Sequence, residues 1–396
     1  MISKRIFLLK TLTVIKKMVM GSLVIVSSVF LTLSIAELGA RAYLALFPNV
    51  QVESHIDFRK SIPLPYKDAP YNVVQFVEES FNSPGWITPE NTRLVVPKDF
   101  DGTYIHIKDG LRRTAFQPDD YMNTIYVFGA STVFCNEVPD EYTVTSYLQK
   151  LVSEKFGNTY RVENYGATSV ISSQELERLR TVALKKGDVV IFYDGANDVI
   201  QTIYNNDPAG WIIGTNKQVL REAGSIKKFL IKLHARWGEK SKFIYHFLSP
   251  YEYGFEPIHM RDKKLIQQLA DQMYQNYLSN IKDAHGYTTA RDATFFHFLQ
   301  PTLFSGSKRT MYEWGIENNT HLVNAGIGKA LRLGFPQLKA VVNILHHDRQ
   351  INSYDISNVF DGRVGGDEVF LDWLHVSEKG NAYIARKMFE YVKDNL

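Results

Sequence analysis

An α/β fold, a parallel sheet covered by helices on both faces, is predicted by three features of the C-terminal two-thirds of this 396-residue sequence. Short apolar runs recur at intervals, each stops at a glycine or a polar turn, and stretches of helical spacing separate them. The run Asp188-Val-Val-Ile-Phe-Tyr193, apolar after its first residue, suits a strand buried on both faces rather than one with a wet side.

Taken in order, Thr124–Phe128 ends at Gly129 and a helix follows over Thr143–Phe156. Tyr160–Asn164 ends at Gly166 with a helix over Ser173–Lys185, and Asp188–Tyr193 ends at Gly195. A helix-rich insertion over 201–290 then interrupts the alternation. Its Leu265, Leu269, Met273, Tyr277 and Ile281 form an i, i+4 stripe that predicts core packing. Thr294–Leu299, before Gln300-Pro301, reads as a fourth strand. Residues 305–334 make a candidate lid, Val341–Leu345 suits a helix or a short strand, and a closing helix begins near Ser377. In such sheets ligands bind beyond the carboxyl ends of the strands, which draws attention to residues just after these runs.

The rest of the chain is bounded by composition. A 45% hydrophobic, 13% aromatic sequence supports a large core, and 45 Lys+Arg against 42 Asp+Glu leaves a formal charge of only +3. No stretch beyond the N-terminus clusters basic residues with aromatics, so a nucleic-acid partner is set aside. The single cysteine, Cys135, excludes an intramolecular disulfide and a multi-cysteine metal site, and no base is paired with it to make it a nucleophile. His346-His347-Asp348 lacks a partner cluster, so neither a metal nor a cofactor is expected.

Residues 18–36 run 19 positions without a charge, and at about 1.5 Å per residue they nearly match a bilayer core of about 30 Å. Lys4, Arg5, Lys10, Lys16 and Lys17 precede the run. The expectation is a cytoplasmic tail (1–17), a transmembrane anchor (18–36), a stalk with accessory strands such as Thr103–Lys108 (37–120), and an exported catalytic domain (121–396). Ser34-Ile35-Ala36 has the form of a signal-peptidase site, but the apolar run exceeds the usual length of a signal peptide's, which favours a retained anchor.

A serine hydroxyl needs a base, an orienter for that base, and donors for the oxyanion. Ser131, in Val127-Phe-Gly-Ala-Ser-Thr132, follows a strand and opens a helix. Gly166 and Asn197 follow the next two strands, and with the Ser131 N–H they can supply three oxyanion donors. Near the C-terminus, Asp372-Trp-Leu-His375 places a carboxylate within one turn of an imidazole, where it can fix the ring's tautomer. Asp194 and Asp198 flank the third block and are expected to shape its loop.

These four blocks, in this order, resemble those of the SGNH/GDSL hydrolase superfamily over roughly residues 121–396. The resemblance implies a flavodoxin-like three-layer α/β/α sandwich. It also implies Ser131, His375 and Asp372 as the catalytic triad, Ser131, Gly166 and Asn197 as the oxyanion hole, and esterase, lipase, deacetylase or acyltransferase activity. Single-anchor members are similar to proteins of bacterial envelope polysaccharide systems, which implies an acyl-ester substrate, an acetylated glycan among them, a periplasmic or cell-surface site, and envelope complex partners. One departure stands out: the usual Gly-Asp-Ser is Gly129-Ala130-Ser131. A contrasting reading is a catalytically quiet scaffold that binds glycan through the same cleft.

Overall fold

Every residue of Val189–Asp194 is buried, and this strand lies inside an eight-stranded sheet. A computed structural model describes residues 20–22, 27–28, 31–42, 63–83, 85–210, 258–317, 325–347, 351–363 and 366–396. In chain order its main elements are α1 (Val73–Asn82), β1 (Trp86–Ile87), β2 (Val96–Pro97), β3 (Phe100–Asp101), β4 (His106–Lys108), β5 (Leu111–Arg112) and β6 (Asn123–Gly129). There follow α2 (Ser131–Phe134), α3 (Val144–Phe156), β7 (Tyr160–Gly166), α4 (Ser172–Leu179), β8 (Val189–Asp194), α5 (Ala196–Val199) and α6 (Lys263–Thr289). The chain closes with β9 (Thr294–Leu299), α7 (Met311–Glu317), α8 (Ala325–His347), β10 (Asn352–Asp355) and α9 (Glu378–Val392).

The sheet order is β10-β9-β8-β6-β7-β5-β4-β3. β10 through β7 pair in parallel, and β5, β4 and β3 extend the sheet antiparallel from β7. Side chains alternate across the parallel strands. Ile125, Val127, Val162, Ile191, Phe296 and Phe298 pack with Val144, Leu148 and Val152 of α3 and with Ile384, Met388 and Val392 of α9. Phe128, Val190, Phe192 and Phe295 face the other way, onto α4, α6 and α8. The result is three layers, as expected. β7 lies on one side of β6 and β8 on the other, with α3 and α4 on opposite faces, so the crevice at the strands' carboxyl ends opens beside β6.

Thr143 caps α3 by accepting from the Ser146 N–H at 3.2 Å. α4 ends at Leu179, six residues short of expectation. Past it, Asp188 accepts from the Lys185 and Thr124 N–H groups, each at 2.9 Å, and so ties the connecting turn to the start of β6. The stripe at Leu269, Met273, Tyr277 and Ile281 is core, with Leu265 packed at its margin. Of the candidate lid, residues 318–324 lie outside the described residues, and 325–334 form the first turns of α8, where Ala330 and Leu331 are fully buried. These turns are therefore part of the framework. Val341–Leu345 is helical, since it too belongs to α8.

By contact, the chain divides into residues 1–52 with 219–252, and residues 53–218 with 253–396. The described residues of the first unit, within 20–42, are helical. Positions 18–19, 23–26 and 29–30 of the expected anchor lie outside the described residues, as does 211–257 of the insertion. No helix among the described residues is long and apolar enough to cross a membrane.

Candidate active site

β6 delivers its last residues into the crevice through a turn with no spare room. A Cβ on Gly129 would stand 2.4 Å from Val133 Cγ2 and 2.5 Å from the Tyr193 carbonyl oxygen. Ala130, where the resemblance leads one to expect Asp, is buried with Val95, Ala167 and Val170. An ionised carboxylate buried at this position would lose its hydration, a cost that the alanine avoids. Ser131 opens α2, so its N–H has no intrahelical acceptor.

The partners of Ser131 arrive from the far end of the chain. His375 Nε2 lies 2.8 Å from Ser131 Oγ, and His375 Nδ1 lies 2.7 Å from Asp372 Oδ2. The other carboxylate oxygen, Oδ1, accepts the Leu374 and His375 N–H groups, both at 2.7 Å. The loop is closed by the Leu371 N–H donating to the His375 carbonyl at 2.8 Å, and the Leu303 N–H, in the turn after β9, secures it by donating to the Trp373 carbonyl at 2.9 Å. Burial alone would raise the Asp372 carboxyl. The neighbouring imidazole and the two backbone donors outweigh burial and hold it well below the usual carboxylate range.

The expected oxyanion donors are not equivalent. Asn197 is 8% exposed and its buried Nδ2 has no hydrogen-bond partner among the described residues, which leaves it free to meet a ligand. Gly166 departs from expectation: its N–H donates to Asn164 Oδ1 at 2.9 Å. Asn164 is itself held, donating through Nδ2 to the Val133 carbonyl at 2.7 Å and to Thr145 Oγ1 at 3.2 Å. Gly166 is required for a different reason. A Cβ there would meet the Phe134 backbone nitrogen at 2.1 Å, so the glycine lets β7 touch the helix that carries Ser131.

Sequence reasoning missed two supports of this site. Asn164 stood two residues before a named glycine and could have been singled out as a side chain able to bond it. Arg112 gave no signal, lying in a segment without legible chemistry. Fully buried, it donates to the carbonyls of Phe134 (2.8 Å), Val138 (2.6 Å) and Cys135, and pairs with Asp140 at 3.0 Å. It thereby gathers the chain that leaves α2. Cys135 sits at that exit in the left-handed region (φ 57°), 3% exposed, and burial pushes its thiol up to about 12. A thiol so protonated is no nucleophile. Among the described residues no group of three or more His, Cys, Asp or Glu side chains could hold a metal ion.

A serine, an imidazole and a carboxylate stand in line at the carboxyl edge of a parallel α/β sheet, an arrangement suited to a serine hydrolase. The family model described as GDSL-like Lipase/Acylhydrolase matches residues 125–388, and the chain belongs to that family. Among solved structures, the crystal structure of TesA is similar at 13% identity and a TM-score of 0.36, over 69% of this chain and 99% of that one. A catalytic mutant of Axe2, an acetylxylan esterase from Geobacillus stearothermophilus, is 11% identical over 68% of this chain and 93% of its own, with a TM-score of 0.34. Est24, a carbohydrate acetylesterase from Sinorhizobium meliloti, is 10% identical over 69% of this chain and 100% of its own, also at 0.34. No curated protein matches the chain by sequence.

Proposed function

We propose that this enzyme cleaves a short acyl ester, acetyl first among them, by a Ser131–His375–Asp372 triad. The observation that carries the reading is the continuous pair of contacts, 2.8 Å from Ser131 to His375 and 2.7 Å from His375 to Asp372. His375 Nε2 takes the Ser131 proton as Oγ bonds to the ester carbonyl carbon, and the resulting oxyanion is received by the Ser131 N–H and Asn197 Nδ2. Collapse breaks the ester C–O bond, and the imidazolium protonates the departing alcohol. Water, deprotonated by the same imidazole, then releases the acyl group as an acid. A sugar hydroxyl in its place gives transfer.

Acetyl is put first on the family resemblance, which includes deacetylases. A surface-glycan acceptor, envelope partners and an extracytoplasmic, singly anchored placement rest on the uncharged run at 18–36, its basic flank and the family resemblance of anchored members.

The test is turnover of aryl esters of increasing acyl length by the full-length protein, beside Ser131→Ala and His375→Ala, with mass spectrometry of a phosphonate adduct. Acetyl preference with the adduct on Ser131 is expected. Turnover no better than the variants across several acyl esters would instead favour the quiet scaffold.

A further inference from the structure

Beneath the turn at residues 194–198 lies a set of ionisable side chains that the acyl-transfer steps leave unused. Glu175 on α4, Asp194 at the end of β8, Asp198 on α5, Tyr277 on α6 and His297 on β9 are each at most 4% exposed. The Tyr277 hydroxyl donates to Asp194 Oδ1 and lies 2.8 Å from His297 Nε2. The other nitrogen of that ring is 2.7 Å from Ser353 Oγ on β10. Asp198 accepts from the N–H and the hydroxyl of Ser172, the first residue of α4, at 3.2 and 2.6 Å. Asn280 on α6 donates to the same hydroxyl at 2.9 Å. These groups are too deep to meet a substrate, so their effect is exerted through the turn they underlie.

Glu175 differs from its two acidic neighbours. Neither of its oxygens has a hydrogen-bond partner among the described residues, and Asp194 Oδ2 has none there either. The nearby guanidinium of Arg178 is committed elsewhere, donating to the carbonyls of Tyr165 (2.9 Å), Gly166 (3.4 Å) and Gly110 (2.8 Å). Two buried carboxyl groups that interact and carry donorless oxygens are satisfied by one shared proton. Burial first, and then the charges of Asp194 and Asp198, push the Glu175 carboxyl well above the ordinary range. Burial and Asp194 push the Asp198 carboxyl up too, opposed by the Ser172 donors. Asp198 has the Ser172 donors and Glu175 has none, which puts the proton on Glu175.

We propose that Glu175, as a neutral carboxylic acid donating to Asp194, is a positioning residue that holds the 194–198 turn so that Asn197 Nδ2 stands where the oxyanion forms. The proposal rests on Asn197 being an oxyanion donor. The turn has little freedom of its own: at Gly195 (φ +112°) a Cβ would meet Leu299 Cδ1 at 2.5 Å and the Tyr277 hydroxyl at 3.3 Å. Loss of the Glu175 proton sets two carboxylates against each other directly under that turn and displaces Asn197. α4 thus acts on two strand ends at once, through Glu175 at β8 and through Arg178 at β7.

The experiment is the pH dependence of kcat on an aryl acetate for full-length wild type, Glu175→Gln, Glu175→Ala and Asn197→Ala, with circular dichroism at each pH to show that each variant is folded. Wild type should lose about tenfold or more in kcat on an alkaline limb, as expected when an oxyanion donor is displaced. Glu175→Gln, a neutral donor of the same shape, should keep neutral-pH kcat within about twofold and lack that limb, while Glu175→Ala should fall well below both. Asn197→Ala should have low kcat and no such limb. An unchanged limb in Glu175→Gln, or a loss as deep as that of Glu175→Ala, overturns the proposal alone. Full activity in Asn197→Ala overturns the oxyanion reading and the proposal with it. If Glu175→Ala does not fold, the glutamine comparison decides.

Discussion

At the scale of single residues, the Ser131 hydroxyl lies 2.8 Å from the His375 ring, whose other nitrogen meets a carboxylate held low. Ser131→Ala should lower kcat/KM on an aryl acetate by at least about a thousandfold while leaving the thermal midpoint within a few degrees. Asp372 has its carboxyl lowered in the folded state, so its contribution to stability is present above the ordinary value near 4 and is lost as pH falls below it. Urea titrations between pH 5 and 3 should therefore show a steeper loss of stability in wild type than in Asp372→Asn. On the same ground the acid limb of kcat/KM should follow one proton, the imidazole's, not two. Cys135 is expected to resist alkylation in the native protein and to react once denatured, which a mass-spectrometric time course with iodoacetamide would check.

At the scale of elements, the four-residue helix α2 is held from both sides by close approach and buried hydrogen bonds. Gly166→Ala forces a methyl against backbone that has no rotamer to yield, and should cost about 1–3 kcal/mol in denaturant unfolding. Arg112→Met leaves three carbonyls and Asp140 without their buried donor and should cost about 3–5 kcal/mol, the usual consequence of stripping one partner from a buried pair. A variant of Arg112 with unchanged stability would show that these buried hydrogen bonds add nothing to the folded state. Most of this level was legible early, because apolar period and turn residues act over a few neighbours: Thr294–Leu299 is the strand foreseen, and α3 begins one residue past its cap, Thr143. α4 ends at Leu179, where the Thr181 and Val182 N–H groups turn to the Arg178 and Leu179 carbonyls instead of continuing the helix.

At the scale of the whole molecule, the buried position of Cys135 shapes how the proposed export can be tested. The one native thiol is inaccessible in the folded state, so topology needs a cysteine placed on the surface, such as Asp120→Cys in a Cys135→Ser background. Labelling of intact cells by a membrane-impermeant maleimide is the expected result, and labelling only after lysis would count against an extracytoplasmic catalytic unit. The sequence by itself determined the strand and helix alternation and the places of Ser131, Asn197, Asp372 and His375, since each rests on short-range chemistry at a strand end or within one turn. Tertiary structure alone decided that Ser131 and His375, 244 positions apart, meet at 2.8 Å. It also decided that the Gly166 N–H is bound by Asn164, and that Glu175 lies donorless against Asp194. Those outcomes depend on which side chains the folded layers bring face to face, and neither periodicity nor spacing carries that information.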